Sequence, residues 1–154
     1  MPVITHDVTV RGLRRDAVYA WLADPGNHER LLREAFHRVR SRGPGIYDLE
    51  IGMPAAGGSL TYEITGPDDG HGGRRVHARL RGTRGDGTLH WSLRTTPPST
   101  DTLVTLHVDY EPSGTLWRVA DSLYLRRRLE AAWCRVAAAL PGAIGAAPPA
   151  ASGV

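Results

Sequence analysis

Two residue types are nearly or wholly missing from the sequence. Cys134 is the only cysteine, so the chain cannot form an internal disulfide, and a cytoplasmic location is the simplest expectation. Lysine is absent, and all 19 basic residues are arginine. Because the guanidinium group stays protonated in proteins, the sequence excludes a lysine Schiff base and a lysine general base.

Long apolar runs and targeting signals are missing as well. No apolar stretch is long enough to cross a bilayer, so we expect no transmembrane segment. The first ten residues, MPVITHDVTV, have neither the charged start nor the apolar core of a signal peptide. They alternate as a strand does, which predicts that the fold begins at once.

The sequence has few features of a nucleic-acid-binding protein. The net charge is +3, but the arginines are scattered apart from Arg126–Arg128, and successive helical positions point in different directions. There is no helix-turn-helix pattern, zinc-finger spacing or aromatic RNA-binding signature. We therefore expect a solvated basic surface and no nucleic-acid partner. No pattern indicates a particular oligomeric state.

Motifs for metals and cofactors are equally scarce. Asp68, Asp69 and His71 lie close together, but their spacing matches no calcium or zinc motif, and a solvated turn is the expected role. The sequence contains no P-loop, dinucleotide fingerprint or evident nucleophile–base pair. It therefore predicts no metal and no cofactor.

What the sequence does contain is a regular succession of short amphipathic segments. Residues 4–10 alternate as a half-buried strand, with His6 on the apolar face. Helices are predicted over 14–23 and 27–35, the second with Asn27 as its N-cap. Asp24-Pro25-Gly26 separates the two, since proline and glycine both interrupt a helix. Strands are then predicted over 36–42, 46–52, 59–65, 75–81, 88–94 and 102–110. Closely spaced strands with one apolar face indicate an antiparallel meander.

The end of the chain predicts a long helix followed by a tail. Helical spacing of apolar residues runs from 116 to 140, and Pro141-Gly142 is predicted to end the helix. Its apolar stripe changes direction, which predicts a kink, a break or a change of packing partner between Ala120 and Arg126. Residues 1–140 are thus expected to form one domain, with 141–154 as a disordered tail of small residues and prolines.

Several segments resemble the START-like (SRPBCC) superfamily, which includes polyketide cyclases, lipid-transfer domains and coenzyme Q-binding proteins. VTVRGLRRDAVYAWLAD resembles the family's first strand and helix. TLHWSLR followed by TLVTLHVDYEPSG resembles its last two strands and their exit into the final helix. The resemblance covers about residues 3–140. It implies an α+β helix-grip fold, in which a curved antiparallel sheet of about seven strands, with two short N-terminal helices, wraps a long C-terminal helix.

The apolar face of the predicted sheet indicates the same fold and a pocket. A sheet with one apolar face must cover that face, and the long helix is the only large element left to do so. One helix cannot fill a strongly curved sheet, so a cavity for an apolar ligand is expected. The candidate pocket residues are His6, Tyr62, Trp91, Leu106, Tyr110, Trp117, Tyr124 and Trp133. The alternative is that these are core residues whose polar tips find hydrogen bonds.

Three functions remain open at this point. The leading hypothesis is binding or transport of a hydrophobic small molecule, such as a lipid, a quinone or a polyketide-like compound. The second is a polyketide aromatase/cyclase or dehydratase-type enzyme with His6, Tyr62 or Tyr110 in acid–base roles. The third is a protein-interaction domain with a vestigial pocket.

The resemblance itself counts against the enzyme at two positions. Aromatase/cyclases of this superfamily are thought to place an arginine and hydroxyl groups in the pocket. The strand that looks equivalent here carries Leu60, Tyr62 and Ile64 inward. The tryptophan often found after the first helix is missing, with His28 near that place.

The outer face of the sheet carries a predicted histidine pair. If the last hairpin is centred near Pro98-Ser99, antiparallel pairing places His90 opposite His107, with Arg79 beside His90. Neighbouring cations repel, so these rings are expected to titrate below an isolated histidine. No third metal ligand is evident, and a solvated pair is the expected arrangement.

Overall fold

Seven strands form one antiparallel sheet in the computed structural model, which describes residues 3–36, 38–51, 58–68, 74–82, 85–96, 100–112 and 126–146. The strand order across the sheet is β1-β7-β6-β5-β4-β3-β2. The strands are β1 (Val3–Val10), β2 (Val39–Gly43), β3 (Ile46–Ile51), β4 (Gly58–Asp68), β5 (Arg74–Gly82), β6 (Gly85–Thr95) and β7 (Thr102–Pro112). The predicted meander of about seven strands is confirmed.

Strands β3 to β7 each have one buried and one partly exposed face. In β7, Val104, Leu106 and Val108 are fully buried, whereas Thr105 and His107 between them are only partly buried. Side chains alternate across a strand, so the buried set lies on the concave face of the sheet. The predicted alternation therefore gives the correct inward face.

Strand β4 is longer than predicted. It continues to Asp68, although a loop was expected from Gly66 onward, and that expectation is wrong. The register with β5 shifts between Ile64 and Gly66, and Gly66 has a φ of 130°. Only glycine adopts this conformation readily, so it carries the bulge and lets the strand pair on beyond it.

Two short helices follow β1. Helix α1 spans Arg15–Ala23 and helix α2 spans Pro25–Arg33. The predicted N-cap of the second helix is wrong: Asp24 is the cap, since its side chain accepts a hydrogen bond from the Gly26 N–H at 3.1 Å. Pro25 suits the first helical position, where its missing N–H would have no partner. Asn27 instead donates its side-chain N–H to the Trp21 carbonyl at 2.8 Å.

A long helix, α3, spans Arg126–Ala146 and covers the concave face. Its buried stripe keeps helical spacing: Leu129, Ala132, Trp133, Val136, Ala137 and Leu140. The predicted end at Pro141-Gly142 is wrong, because the helix continues through Pro141 to Ala146. Ala143 and Ile144 pack against the core and favour the extra turn. Among the described helices, none is long and apolar enough to cross a membrane.

Two predictions about the C-terminal part of the chain concern residues that lie wholly or partly outside the described ranges. The kink, break or change of packing partner predicted between Ala120 and Arg126 lies outside the described residues, except for Arg126 itself. The predicted disordered tail over 141–154 overlaps α3 as far as Ala146, and its remaining residues, 147–154, lie outside the described ones.

Candidate functional site

Trp133 of α3 lies at the centre of the interior. Its side chain is 1% exposed. Its ring centroid is 5.1 Å from that of Phe36, in an edge-to-face arrangement, and 6.2 Å from that of Tyr62. The indole ring thus contacts both the segment after α2 and strand β4, and it joins α3 to the concave face of the sheet.

A buried chain of hydrogen bonds lies beside Trp133. His28 Nε2 is 2.5 Å from the Leu22 carbonyl oxygen, and its Nδ1 is 2.8 Å from Tyr62 Oη. A carbonyl oxygen can only accept, so Nε2 carries the proton and donates it. Neutral Nδ1 therefore accepts from the Tyr62 hydroxyl. Trp91 Nε1–H donates to Tyr62 Oη at 3.5 Å, which completes the chain.

The groups in this chain stay neutral at physiological pH. Burial lowers the pKa of His28 to about 4, against smaller raising effects of its bond to Leu22 and of the nearby Asp24 carboxylate. Burial also raises the pKa of the Tyr62 hydroxyl, which the Trp91 hydrogen bond partly offsets. Burial disfavours a charge that has no partner. His28 and Tyr62 are therefore buried polar groups of the core whose hydrogen-bonding needs are met.

An apolar cavity of about 30 Å³ lies between α3 and one end of the sheet. Its described apolar lining consists of Leu60, Leu80, Val108, Tyr110, Leu129 and Trp133. Ser59, Gly82, Gly85 and Asp86 also line it. Apolar side chains from three strands and from α3 therefore face one small space.

Glycines explain why this end of the sheet can curve around the cavity. Gly87 lies opposite Leu80 on one neighbouring strand and Tyr110 on the other. A Cβ atom at Gly87 would collide with the backbone oxygen of Asp109 and with Tyr110. The strands β6 and β7 thus approach more closely than any residue with a side chain would allow.

The structure places six of the eight predicted pocket residues, and these six lie in four different positions. Tyr110 and Trp133 line the cavity. Tyr62 and Trp91 lie on the same buried face, as predicted, but they belong to the hydrogen-bond chain. Leu106 is fully buried between Trp91 and His6 in the register and is absent from the described lining. Trp117 and Tyr124 lie outside the described residues.

His6 is separate from this group. It lies on β1 at the edge of the sheet, where Cys134 Sγ of α3 is 3.5 Å from its Nδ1 and 3.6 Å from its Nε2. Both residues line a surface groove between β1 and α3. The described structure therefore does not bring His6 to the cavity.

Sequence reasoning missed the role of His28. It noted this residue only as a departure from the family's pattern, whereas the structure buries it, with 1% exposed, as the acceptor for Tyr62. The signal was present: His28, Leu31 and Leu32 form the buried stripe of α2. A histidine on such a stripe needs polar partners inside the core.

The outer face carries three histidines in one row. His90 lies opposite His107, as predicted, and their rings stack at 4.9 Å between centroids. The prediction that Arg79 lies beside His90 is wrong, because the register places His77 there and pairs Arg79 with Thr88. The β5–β6 turn is tighter than assumed, since Gly82 pairs directly with Gly85. Among the described residues, no three His, Cys, Asp or Glu side chains are grouped so that they could hold a metal ion.

No protein-family model matches the chain, and no curated protein matches it significantly. Solved structures match it over most of its length. The protein TTHA0849 from Thermus thermophilus is 16% identical over 95% of this chain and 99% of its own, with a TM-score of 0.68. The Zhui aromatase/cyclase from Streptomyces sp. R1128 is 22% identical over 99% of both chains, with a TM-score of 0.63. A START superfamily protein from Mycobacterium smegmatis is 12% identical over 84% of this chain and 94% of its own, with a TM-score of 0.51. Since all three identities are low, the likeness is one of fold, and the chain shares with these structures the α+β helix-grip fold.

Proposed function

We propose that the protein binds a hydrophobic small molecule, such as a lipid, a quinone or a polyketide-like compound, between the sheet and α3. The observation that carries this proposal is the apolar cavity beside Tyr110 and Trp133. Cavities of this kind, apolar with a few polar groups at one side, are typical ligand sites. Here Ser59 and Asp86 supply those polar groups.

The cavity must widen to accept such a ligand. About 30 Å³ accommodates roughly a single water molecule, whereas small-molecule sites usually measure about 300–1,000 Å³. Leu129 and Trp133 of α3 form one wall. We expect α3 to move outward and Trp133 to turn when the ligand enters. We further propose that Trp117 and Tyr124 complete the lining.

The polar groups favour a carrier over an enzyme. His28 and Tyr62 satisfy each other's hydrogen bonds, and no arginine is part of the described lining. The inward arginine of β5, Arg74, lies at the other end of the strand, 4.6 Å above the Tyr19 ring and 3.1 Å from the Asp16 carboxylate. Arg74 therefore makes structural contacts with α1.

The other two functions have less support. Of the three residues considered for acid–base roles in an aromatase/cyclase or dehydratase-type enzyme, Tyr110 is part of the described lining, whereas His6 and Tyr62 are not. A protein-interaction domain would be expected to expose an apolar patch. Val3 is the only large hydrophobic residue exposed in the described part of the chain.

A fluorescence titration with N-phenyl-1-naphthylamine tests the proposal. The native protein should take up this apolar probe saturably and at one-to-one stoichiometry. Leu129→Trp fills the cavity and should weaken uptake by at least about tenfold, since the loss of most of the apolar contact area is worth more than ~1.4 kcal/mol. Arg135→Trp is the matched control, because it places the same side chain on an exposed position of α3 and should leave uptake unchanged.

A second variant keeps the test valid if Leu129→Trp does not fold. Leu129→Ala enlarges the cavity and should bind the probe at least as tightly as the native protein does. The proposal is wrong if the native protein shows no saturable uptake. It is also wrong if a folded Leu129→Trp variant binds as the native protein does.

A further inference from the structure

Three imidazole rings form a continuous row across the outer face of the sheet. His77, His90 and His107 occupy directly opposed positions on β5, β6 and β7. The ring centroids are 5.6 Å apart for His77 and His90, and 4.9 Å apart for His90 and His107. Each ring therefore lies within direct contact of the next, and His90 has a histidine on both sides.

Charged positions of both signs flank this row. Positions two residues along each strand, on the same face, form a flanking row on either side. One flanking row runs through Asp68, Arg75, Ser92, Thr105 and Asp7, and the other runs through Glu63, Arg79, Thr88 and Asp109. At its ends the histidine row meets Gly66 of β4 and Thr5 of β1, whose hydroxyl is 3.3 Å from His107 Nδ1.

The central ring is thus poorly placed to hold a proton. Its neighbours on β6 are the uncharged Thr88 and Ser92, and both arginines lie on the adjacent strand β5. The nearest carboxylate position is Asp109 on β7, and those of β4 and β1 are two strands away. Burial lowers the pKa of His90 to about 4, with further lowering by His107, Arg75 and His77. When these strands separate, the His90 ring recovers an ordinary pKa near 6.5.

We propose that the row of His77, His90 and His107 is a proton-responsive element, which makes strands β5, β6 and β7 open more often in mildly acidic solution. Protons bind more tightly to the open state, where the rings are apart and hydrated, than to the closed state. By linkage, lowering the pH through the range between the two pKa values shifts the equilibrium toward opening.

The same strands form the wall of the cavity, which gives this element a role in ligand exchange. Leu80 of β5 and Val108 and Tyr110 of β7 line the cavity from the opposite face of the sheet. This part of the inference rests on the proposed function. A narrow cavity exchanges its ligand when its walls open, so acidification should speed the release of a bound molecule.

Amide hydrogen exchange at about pH 7.5 and about pH 5, corrected for the intrinsic exchange rates, tests the element itself. In the native protein, the opening equilibrium of the β6 and β7 amides should rise by at least about threefold at the lower pH. His90→Gln removes the central ring and should make that rise clearly smaller than in the native protein; the part that remains is expected from the buried His28, whose pKa is also lowered. Thr88→Gln is the matched control: it adds the same side chain to the same face of β6, keeps all three rings, and should respond as the native protein does.

A stopped-flow measurement of naphthylamine-probe release at both pH values tests the link to the cavity. Release should accelerate at about pH 5 in the native protein and in Thr88→Gln, and should accelerate less in His90→Gln. If the probe does not bind at all, the proposed function fails, while hydrogen exchange still decides whether the row responds to protons. If release is equally fast at both pH values, the link to the cavity is wrong.

Ring titration of the native protein by NMR provides a test that needs no variant. The His90 ring should titrate well below an isolated histidine, with a curve that depends on its two neighbours. Independent, unshifted curves for the three rings would overturn the proposal. So would a pH response of His90→Gln equal to that of the native protein.

Discussion

His28 Nδ1 accepts a hydrogen bond from the Tyr62 hydroxyl at 2.8 Å in the centre of the protein. This bond joins helix α2 to strand β4, and the His28 Nε2–H bond to the Leu22 carbonyl holds the same ring to the end of α1. One side chain thus ties three elements together. The arrangement is stable because each polar group in it has a partner.

Removing the Tyr62 hydroxyl should destabilise the protein while leaving its shape intact. Tyr62→Phe keeps the ring beside Trp133 but leaves His28 Nδ1 and the Trp91 N–H without their partner. A buried polar group without a hydrogen bond costs about 1–3 kcal/mol. Urea unfolding should show a loss of that size with an unchanged slope.

The double variant checks the cause of this loss. Tyr62→Phe/His28→Leu should lose less stability than the sum of the losses of the two single variants. Each single variant removes the same hydrogen bond, so the sum counts that bond twice. Strict additivity would mean that the hydroxyl and the ring do not interact.

The depressed pKa of His28 predicts a loss of stability in acid. The pKa of this ring is about 4 in the folded protein and about 6.5 in an unfolded chain. The folded state therefore binds fewer protons between these values, so stability is complete above about pH 6.5 and falls as the pH drops toward 4. The total for this one residue is on the order of 3 kcal/mol.

Denaturant unfolding at a series of pH values measures this effect. His28→Leu should be less stable than the native protein at neutral pH, since it loses two hydrogen bonds, but its stability should vary less with pH. The interpretation would be contradicted if the variant kept the whole pH dependence of the native protein.

Gly87 should tolerate no side chain. A Cβ atom there would collide with the Asp109 backbone oxygen, and backbone can move only if β6 and β7 separate. Gly87→Ala should therefore lower the free energy of unfolding by about 1–3 kcal/mol or more. Gly142→Ala is the control, because nothing lies within 4 Å of that position in α3. It should stabilise the helix by about 0.5–1 kcal/mol. Equal stability of Gly87→Ala and the native protein would show that the strands are not closely apposed there.

The fold was predictable from the sequence because its signals are local and repeated. Alternation in segments such as β7 determines which side chains face inward, and this set the faces of Tyr62, Trp91 and Tyr110 correctly. The row of His90 and His107 followed from counting through one hairpin. Counting through the β5–β6 turn failed for Arg79, because a tight glycine turn shifts the register by an amount that the pattern does not reveal.

The site was less predictable, because it depends on contacts between distant segments. Nothing local to Tyr62 indicates that His28 lies next to it, since the two meet only when α2 packs across β4. Likewise, the alternation of β1 placed His6 inward, but only the position of α3 decides that it contacts Cys134 at the sheet edge rather than the cavity. A residue's face follows from periodicity, whereas its neighbours follow from the packing of helices.

Pro141 stands inside α3, where the sequence predicted that it would end the helix. Proline there lacks the N–H that would bond to the carbonyl of Ala137, and its ring crowds the preceding turn. The helix nevertheless continues, because alanines favour it and because Ala143 and Ile144 gain contacts with the core. The local preference and the packing therefore oppose each other at this one position.

Replacing this proline should accordingly stabilise the protein. Pro141→Ala restores the hydrogen bond and removes the crowding, and alanine is about 3 kcal/mol more favourable than proline within a helix. The unfolded chain gains freedom at the same time, which offsets about 0.4–1 kcal/mol, and a last-turn position feels less than the full effect. We expect a net gain of about 1–2 kcal/mol and a higher Tm in thermal unfolding. Ala138→Gly, at an exposed position of the same helix, should instead lower stability by about 1 kcal/mol. If Pro141→Ala left the stability unchanged while Ala138→Gly lowered it, the helix would have to end before residue 141 in solution.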